Sequence, residues 1–395
     1  MPVWHDKTKS LVAEGKLVVI GVAQEQHADR CRLFLQWQRI GWPVMHDPVN
    51  SVGIDKVPVA IAIDENGIVR DAAPQPDAIE SAFVNKSFKG EAESLGSDAY
   101  HAPDPRVTRR RAGEAKIAEV YCDHGQALVL AGAPAQVVEA IETYEKAVAE
   151  NKKLAEAHFG LGVAYRMRCD GPGRQPGDFQ AAVSAWESAL RLAPNNYICR
   201  RRIQQYGPRL DKPYPFYDWV ATARSEIESR GETPVPLVAE PIGAELADKD
   251  AGGAVQGRPP KGDRQGKIDR DDAPLILLEP TVVHSTQRSK TEPVEVHLSF
   301  RPDPDRDGHW NNEAEPLRVW LAKVKGAKVS PRFLEAAAFP GAVSDETRTL
   351  SFAVTPGKKA KRTLTVKGYA LYNICQGAGG KCLYRRQDFR VKIKR

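Results

Sequence analysis

The chain has 395 residues, of which 42% are hydrophobic and 27% are charged, a composition typical of globular proteins rather than disordered ones. This length exceeds that of one ordinary domain and predicts two or three separate cores. The formal net charge is +6, with basic clusters at Arg109–Arg111, Arg200–Arg202 and the C-terminus. No nucleic-acid recognition motif accompanies them, so we expect no nucleic-acid partner.

The apolar runs of the sequence are short. None approaches the roughly 20 residues that a membrane-spanning helix needs. Leu17–Ala23 follows a basic start but is too short for the apolar part of a signal peptide. We therefore expect neither a membrane span nor an export signal in this chain.

Strand and helix signals alternate in the first segment, residues 17–70. An apolar run predicts a strand at Leu17–Ala23, and His27–Ile40 carries apolar residues at helical spacing. Asp64–Gly67 has the composition of a hairpin turn. Three further strands are predicted: Trp42–Met45, Val59–Ile63 and Ile68–Arg70. The last two lie on either side of this turn. Pro76–Phe88 then has the amphipathic pattern of a closing helix.

This order of elements, with Val57–Pro58 directly before a strand, resembles the second half of a thioredoxin-like domain of the membrane-anchored TlpA/ResA type. The resemblance implies an α/β domain over residues 1–90, in which the Val57–Pro58 peptide is cis and faces a redox centre. It also implies an extracytoplasmic bacterial protein.

The redox motif of that family, Trp-Cys-x-x-Cys at a helix N-terminus, has no counterpart in this chain. Met1–Val12 looks like the continuation of the helix that carries the motif. Two explanations stay open: the motif lies just upstream of Met1, or the domain is shortened and catalytically inactive. We expect the first, because the strands present here would otherwise lack their central partner.

From about Arg110 the sequence becomes alanine-rich with helical periodicity, and one short residue pattern occurs twice. Ala140–Ala147 and Ala182–Ala189 share small and aromatic residues at the same spacing. The pattern resembles the tetratricopeptide repeat, in which small residues lie where two helices touch and aromatic rings fill the spaces between them. The resemblance implies an all-α domain over 110–230 that binds a peptide of a protein partner.

Residues 231–274 predict a flexible linker, because proline, glycine and charged residues dominate and aromatic residues are missing. From Leu275 the hydrophobic pattern has a period of two, which is typical of strands. Six strands are predicted: Leu275–Leu278, Val294–Phe300, Leu317–Leu321, Thr349–Val354, Arg362–Tyr369 and Asp388–Ile393. They suggest an antiparallel β-sandwich over 275–395.

Cys375 and Cys382 flank a glycine-rich turn near the end of this sandwich. Opposed positions across a hairpin bring two Cα atoms within disulfide range. The segment resembles the immunoglobulin-like N-terminal domain of the thiol–disulfide interchange protein DsbD. That resemblance implies that Cys375 and Cys382 are a catalytic pair which exchanges disulfides with thioredoxin-like protein partners. A structural disulfide and two free thiols are the alternative interpretations.

The other cysteines occur singly, without Cys-x-x-Cys or zinc-ligand spacing: Cys31, Cys122, Cys169 and Cys199. Cys31 lies within a predicted helix, away from the N-terminus that would lower its pKa, so a packing role is favoured over a peroxidatic one. Asp303–Gly308 imitates the start of a calcium loop, but the twelfth position is Ala314 instead of glutamate. An acidic turn is therefore predicted, and no metal or cofactor is expected.

The sequence thus predicts a multidomain fold with three parts: an incomplete α/β thioredoxin-like domain, all-α helical repeats and an all-β immunoglobulin-like sandwich. The leading hypothesis for function is a thiol–disulfide oxidoreductase that acts on protein partners. The alternative is a non-enzymatic interaction scaffold with a degenerate thioredoxin-like domain and a structural disulfide. Whether the chain is an enzyme stays open, since the usual Cys-x-x-Cys is absent from it.

Overall fold

The computed structural model describes residues 1–54, 57–88, 104–115, 117–204, 206, 219–239, 259–284, 291–337, 339, 341–376 and 382–394. Several helices and several antiparallel sheets occupy different parts of the chain, so the predicted mixture of helical and sheet domains is confirmed. Residues 89–103, part of the predicted linker (240–258) and the turn between the two cysteines (377–381) lie outside the described residues.

The chain divides into two compact units. The first comprises Met1–Gln175, Ser188–Arg201 and Trp219–Glu240, and the second comprises Pro176–Glu187, Arg202–Asp218 and Pro241–Arg395. The finer domain boundaries given by the sequence stay predictions.

The first unit begins with two helices and two two-stranded sheets. The elements are α1 (Pro2–Ala13), β1 (Gly21–Ala23), α2 (Ala28–Gln38), β2 (Val44–His46), β3 (Ala62–Ile63) and β4 (Val69–Asp71). β1 and β2 pair in parallel, and β3 and β4 form an antiparallel pair. Leu11 of α1 is buried with Ala62 and Ile79, which fastens the hairpin to the helix. Where the sequence predicts a helix over Pro76–Phe88, the structure has one π-helical turn at Glu80–Val84.

The apolar residues leading into and along these strands stay exposed. Val18, Ile20 and Val22 are 79%, 59% and 45% exposed, and alternate residues around β3 (Val59, Ile61 and Ile63) are exposed to a similar extent. Successive residues of a strand point to opposite faces, so each set lies on one face. In the described part of the chain, neither face is covered.

Seven further helices are described. They are α3 (Pro105–Ala115), α4 (Ala118–Ala131), α5 (Pro134–Glu150), α6 (Ala155–Asp170), α7 (Asp178–Leu192), α8 (Tyr197–Gln204) and α9 (Trp219–Ser229). The buried ring of Tyr144 on α5 packs against Gly125 on α4 and Gly160 on α6. A Cβ atom would lie 2.8 Å from the ring at Gly125 and 2.2 Å from it at Gly160, so larger residues at either position would displace the ring.

The second unit contains two antiparallel sheets. The four-stranded sheet has the order β5-β6-β12-β9, and the six-stranded sheet has the order β10-β8-β13-β7-β11 with β14 paired to β13. The strands are β5 (Ile276–Val283), β6 (Val294–Pro302), β7 (Gly308–Asn311), β8 (Arg318–Leu321), β9 (Ala327–Ser330), β10 (Phe333–Glu335), β11 (Val343–Ser344), β12 (Arg348–Pro356), β13 (Thr363–Gln376) and β14 (Cys382–Lys394).

One apolar core fills the space between the two sheets. It includes Val296 and Phe300 of β6, Phe352 of β12, and Val366 and Ile374 of β13. Each of the six strands predicted in this region is present with shifted bounds, whereas β7, β9, β10 and β11 were not predicted. These four strands have two to four residues each, too few for a hydrophobic period to show.

The long strand β13 determines which residues share the outer face of the six-stranded sheet. Val366, Ala370 and Ile374 belong to the core between the sheets. Because side chains alternate along a strand, Tyr369 and Cys375 point to the opposite, outer face. Tyr369 and Cys375 therefore share the outer face of the six-stranded sheet.

Candidate functional site

Cys375 and Cys382 form a disulfide across the hairpin of β13 and β14. The two residues are direct partners in the register of the strands, and their Cα atoms are 4.0 Å apart. Cys375 is 8% exposed, whereas Cys382, the first residue of β14, is exposed to solvent. An attacking thiolate therefore reaches the sulfur of Cys382 more easily than that of Cys375.

A histidine completes a row of three residues across three strands. His309 of β7 is the register partner of Cys375 on the side opposite to β14. Directly opposed residues of antiparallel strands project to the same face, with Cβ atoms about 4.5–5.5 Å apart. His309, Cys375 and Cys382 thus lie side by side on the outer face, and we call them the His309–Cys375–Cys382 row.

Two carboxylates surround His309. Its Nδ1 atom forms a hydrogen bond with Asp345, and its Nε2 atom lies 3.1 Å from an oxygen of Asp307. The hydrogen bond to Asp345, followed by that to Asp307, raises the pKa of His309 above its usual value. Because both nitrogens face acceptors, the doubly protonated, cationic ring is favoured. A cation beside a cysteine stabilises the thiolate that forms when a disulfide opens.

The acidic segment Asp303–Gly308 supplies one of these carboxylates. Pro304–Arg306 forms a single 3₁₀ turn, and the Asp303 side chain accepts a hydrogen bond of 3.1 Å from the backbone N–H of Asp305. Asp307 follows in a left-handed conformation, with φ of 52°, and turns toward His309. Within the described residues, no cluster of three or more His, Cys, Asp or Glu side chains is arranged to hold a metal ion.

Sequence reasoning singled out the two cysteines and missed His309. One local signal was present, since the Asp307 carboxylate is only two residues before His309 in the chain. The stronger partner, Asp345, is 36 residues away along the chain and comes close only through the sheet.

The other predicted site residues, Val57 and Pro58, belong to the first unit. Their peptide bond is cis, and the Val57 side chain is 43% exposed. Their role at a redox centre stays a prediction. The structure therefore brings Cys375, Cys382 and His309 together in the second unit, whereas Val57 and Pro58 belong to the first.

The single cysteines lie on helices of the described chain: Cys31 on α2, Cys122 on α4, Cys169 on α6 and Cys199 on α8. Burial, together with nearby carboxylates, raises the pKa of Cys122 to about 12, which makes this thiol a poor nucleophile. None of the described helices has the length and apolar character that crossing a bilayer requires.

Comparison with known proteins gives little to place beside this geometry. No protein-family profile matches the sequence, and no curated protein matches it. Among solved structures, the chain is similar to a crystal structure of the yeast GGA1_GAE domain-P21, with 12% identity and a TM-score of 0.19. The similarity covers 30% of this chain and 91% of that chain.

Proposed function

We propose that this protein exchanges disulfides with protein partners through Cys375 and Cys382. The observation that carries the proposal is the His309–Cys375–Cys382 row: an exposed sulfur, a buried sulfur and a histidine with a raised pKa lie next to one another on one sheet face. A disulfide kept only for stability does not need a cationic neighbour. A disulfide that opens and closes benefits from one, since the cation stabilises the thiolate that leaves.

The reaction proceeds in two exchange steps. A thiolate of a partner dithiol attacks Sγ of Cys382, a new S–S bond forms to the partner, and the bond to Cys375 breaks with the electron pair on Cys375. The positive charge of His309 stabilises this thiolate, which then takes up a proton from solvent. The second partner thiol loses its proton, and its thiolate attacks the partner sulfur of the mixed disulfide. The bond to Cys382 breaks with the electron pair on Cys382, which takes up a proton from solvent. The partner leaves oxidised, and Cys375 and Cys382 hold two electrons and two protons as thiols.

The proposal extends to the folds of the three regions. The order α1–β1–α2–β2, with β1 and β2 paired in parallel, supports a thioredoxin-like ancestry for residues 1–90. The packing of Tyr144 between two glycines supports tetratricopeptide-like repeats. Two antiparallel sheets around one core support an immunoglobulin-like body.

The reduction potential of the pair tests the proposal directly. Equilibration of the full chain with glutathione buffers, followed by mass spectrometry after thiol alkylation, should give a potential between about −120 and −270 mV, the range of exchanging pairs. A structural disulfide would give a value below about −300 mV, and that result would contradict the proposal.

Two single-cysteine variants refine the test. Cys375→Ser leaves the exposed thiol of Cys382. This thiol should form a stable mixed disulfide with a thioredoxin-type protein that keeps only its first active-site cysteine, activated as a disulfide with an aromatic thiol, because neither site then has a second cysteine to resolve the bond. Cys382→Ser leaves the buried thiol of Cys375 and should trap much less. Equal trapping by both variants would contradict the proposed order of attack.

A second candidate function is a non-enzymatic scaffold, favoured by the close packing of α4, α5 and α6 around Tyr144. It predicts that partners captured by the full chain remain bound when both cysteines are replaced (Cys375→Ser with Cys382→Ser). Thiol-dependent capture would instead support the exchange function.

A further inference from the structure

A large groove lies on the outer face of the six-stranded sheet, some distance along β13 from the disulfide. Its volume is about 1430 Å³. The floor consists of Trp320 of β8, Phe333 of β10 and Tyr369 of β13, and one wall is the segment 259–267. We call it the aromatic groove. It takes no part in the proposed exchange chemistry.

Cationic side chains outnumber carboxylates in the lining of the aromatic groove. Two carboxylates line it, Asp263 and Asp388, and both contact Arg386: Nη1 of Arg386 lies 3.0 Å from Asp263, and Nη2 lies 2.7 Å from Asp388. The remaining charged lining residues are all cations, and none of them forms an ion pair within the described residues: Lys261, Arg264, Lys267, Arg332 and Lys367. The potential in the groove is therefore positive, and it favours an anionic ligand.

The wall of the groove is held in place before any ligand arrives. The Asp263 carboxylate accepts hydrogen bonds from the backbone N–H groups of Lys267 (2.8 Å) and Ile268 (3.1 Å) as well as from Arg386. Further along, the backbone of Asp269 accepts a 3.0 Å hydrogen bond from that of Arg386 on β14. A preformed wall lowers the entropic cost of binding.

The aromatic floor of the groove packs closely against a segment of polypeptide. The rings of Trp320 and Tyr369 stack with centroids 5.3 Å apart. Gly262 packs so closely on them that a Cβ atom would lie 2.2 Å from the Tyr369 hydroxyl and 2.8 Å from Trp320. Pro259 and Pro260 precede it outside any helix or strand. Polypeptide backbone thus already lies against the aromatic floor.

The same floor is unsuited to stacking nucleobases. Trp320 and the guanidinium of Arg386, 4.1 Å from the ring centroid, both lie against Tyr369, and Phe333 is buried. Single-stranded nucleic acid is normally bound by aromatic rings with an open face. Of an acidic peptide and a single-stranded nucleic acid, the aromatic groove therefore favours the acidic peptide.

We propose that the aromatic groove binds an extended acidic segment of another protein, with its carboxylates at Lys261, Arg332 and Lys367 and its apolar side chains on Trp320. The partner is thus an acidic, proline- or leucine-containing peptide in extended conformation. Charge attraction gives the on-rate and the salt dependence, and the aromatic floor gives contact area.

Fluorescence anisotropy of the full chain tests this proposal. The probe is a fluorescein-labelled peptide of about eight residues, which spans roughly 26 Å when extended, with glutamates around a central Pro-Leu pair. The variant Arg332→Glu with Lys367→Glu should weaken binding about tenfold or more, and raised salt should weaken it in the unaltered chain.

The matched control places the same charge change elsewhere. Lys358 and Lys359 are exposed in the turn after β12, outside the groove, and Lys358→Glu with Lys359→Glu should change the affinity less than about twofold. The two double variants should have the same melting temperature, because all four side chains are exposed. Three results would overturn the proposal: no binding, equal loss in both variants, or tighter groove-dependent binding of an oligothymidine of equal charge.

Discussion

The two-stranded sheets of the first unit and the paired sheets of the second are built from the same kind of sequence but differ in burial. Val294, Val296 and Leu298 along β6 are at most 5% exposed, whereas Val18, Ile20 and Val22 before and in β1 are at least 45% exposed. β6 has a hydrogen-bonded neighbour on each side and a second sheet over its face, while β1 has only β2 within the described residues. Alternation shows which residues share a face, and a second layer packed on that face decides whether it is buried.

Phe300 gives the largest expected effect on the buried side of this comparison. Its side chain is fully buried in β6 between the partners Leu278 and Arg348. Phe300→Ala should lower the free energy of unfolding of the second unit by about 3–5 kcal/mol, because a cavity replaces the ring. Hydrogen exchange resolved by peptide mass spectrometry measures this loss in the two sheets. A loss below about 1 kcal/mol would mean that the core is far looser than the burial indicates.

His297 gives the next effect, and its sign follows from its burial. The ring lies in the same strand, its Nε2 atom donates to the backbone oxygen of Tyr206 (2.6 Å) and its Nδ1 atom accepts from Ser351 (2.7 Å). Burial lowers the pKa of His297 to about 4 from its ordinary value of 6.5. The neutral ring therefore stabilises the fold fully above pH 6.5, and this contribution is lost as the pH falls toward 4.

The loss should reach about 3 kcal/mol below pH 4, since one pKa unit corresponds to about 1.4 kcal/mol. Urea unfolding at several pH values measures it. His297→Gln keeps a donor for the Tyr206 carbonyl and removes the titration, so its stability should depend less on pH between 6.5 and 4. Parallel pH profiles for the two proteins would contradict the assignment.

The smallest expected effect lies on the exposed side. Ile20→Thr should change the free energy of unfolding by less than about 0.5 kcal/mol, since the side chain is already largely in solvent. It should nevertheless reduce the binding of an apolar fluorescent dye, because the exposed apolar face becomes smaller. A destabilisation comparable to that of Phe300→Ala would show that the face of Ile20 is covered in solution.

Long strands could be predicted from the sequence, whereas short strands and polar contacts between distant residues could not. Periodic stretches such as Thr349–Val354 identified strands correctly, because six alternating residues already leave a clear pattern. β11, with two residues, leaves none. In the predicted linker, residues 259–274 contact the sheet through polar groups such as Asp263 with Arg386 and Asp271 with Tyr372 (2.7 Å). Hydrophobic composition does not register such contacts.

The candidate site was predictable to a similar extent. A glycine-rich turn between two cysteines already suggested that Cys375 and Cys382 face each other. His309 joins them only because β7 pairs with β13, a register that depends on residues more than 60 positions apart. Long-range strand pairing is the information that local patterns lack.

Strand β13 sets the distance between the aromatic groove and the disulfide, since both lie on its outer face. Tyr369 in the aromatic groove and Cys375 in the disulfide are six residues apart on the same face, a distance of about 20 Å at 3.4 Å per residue. A partner anchored in the groove by an extended tail would need about six further residues for a cysteine to reach Cys382. The length of that spacer, rather than the sequence around the cysteine, would then select which partners exchange disulfides quickly.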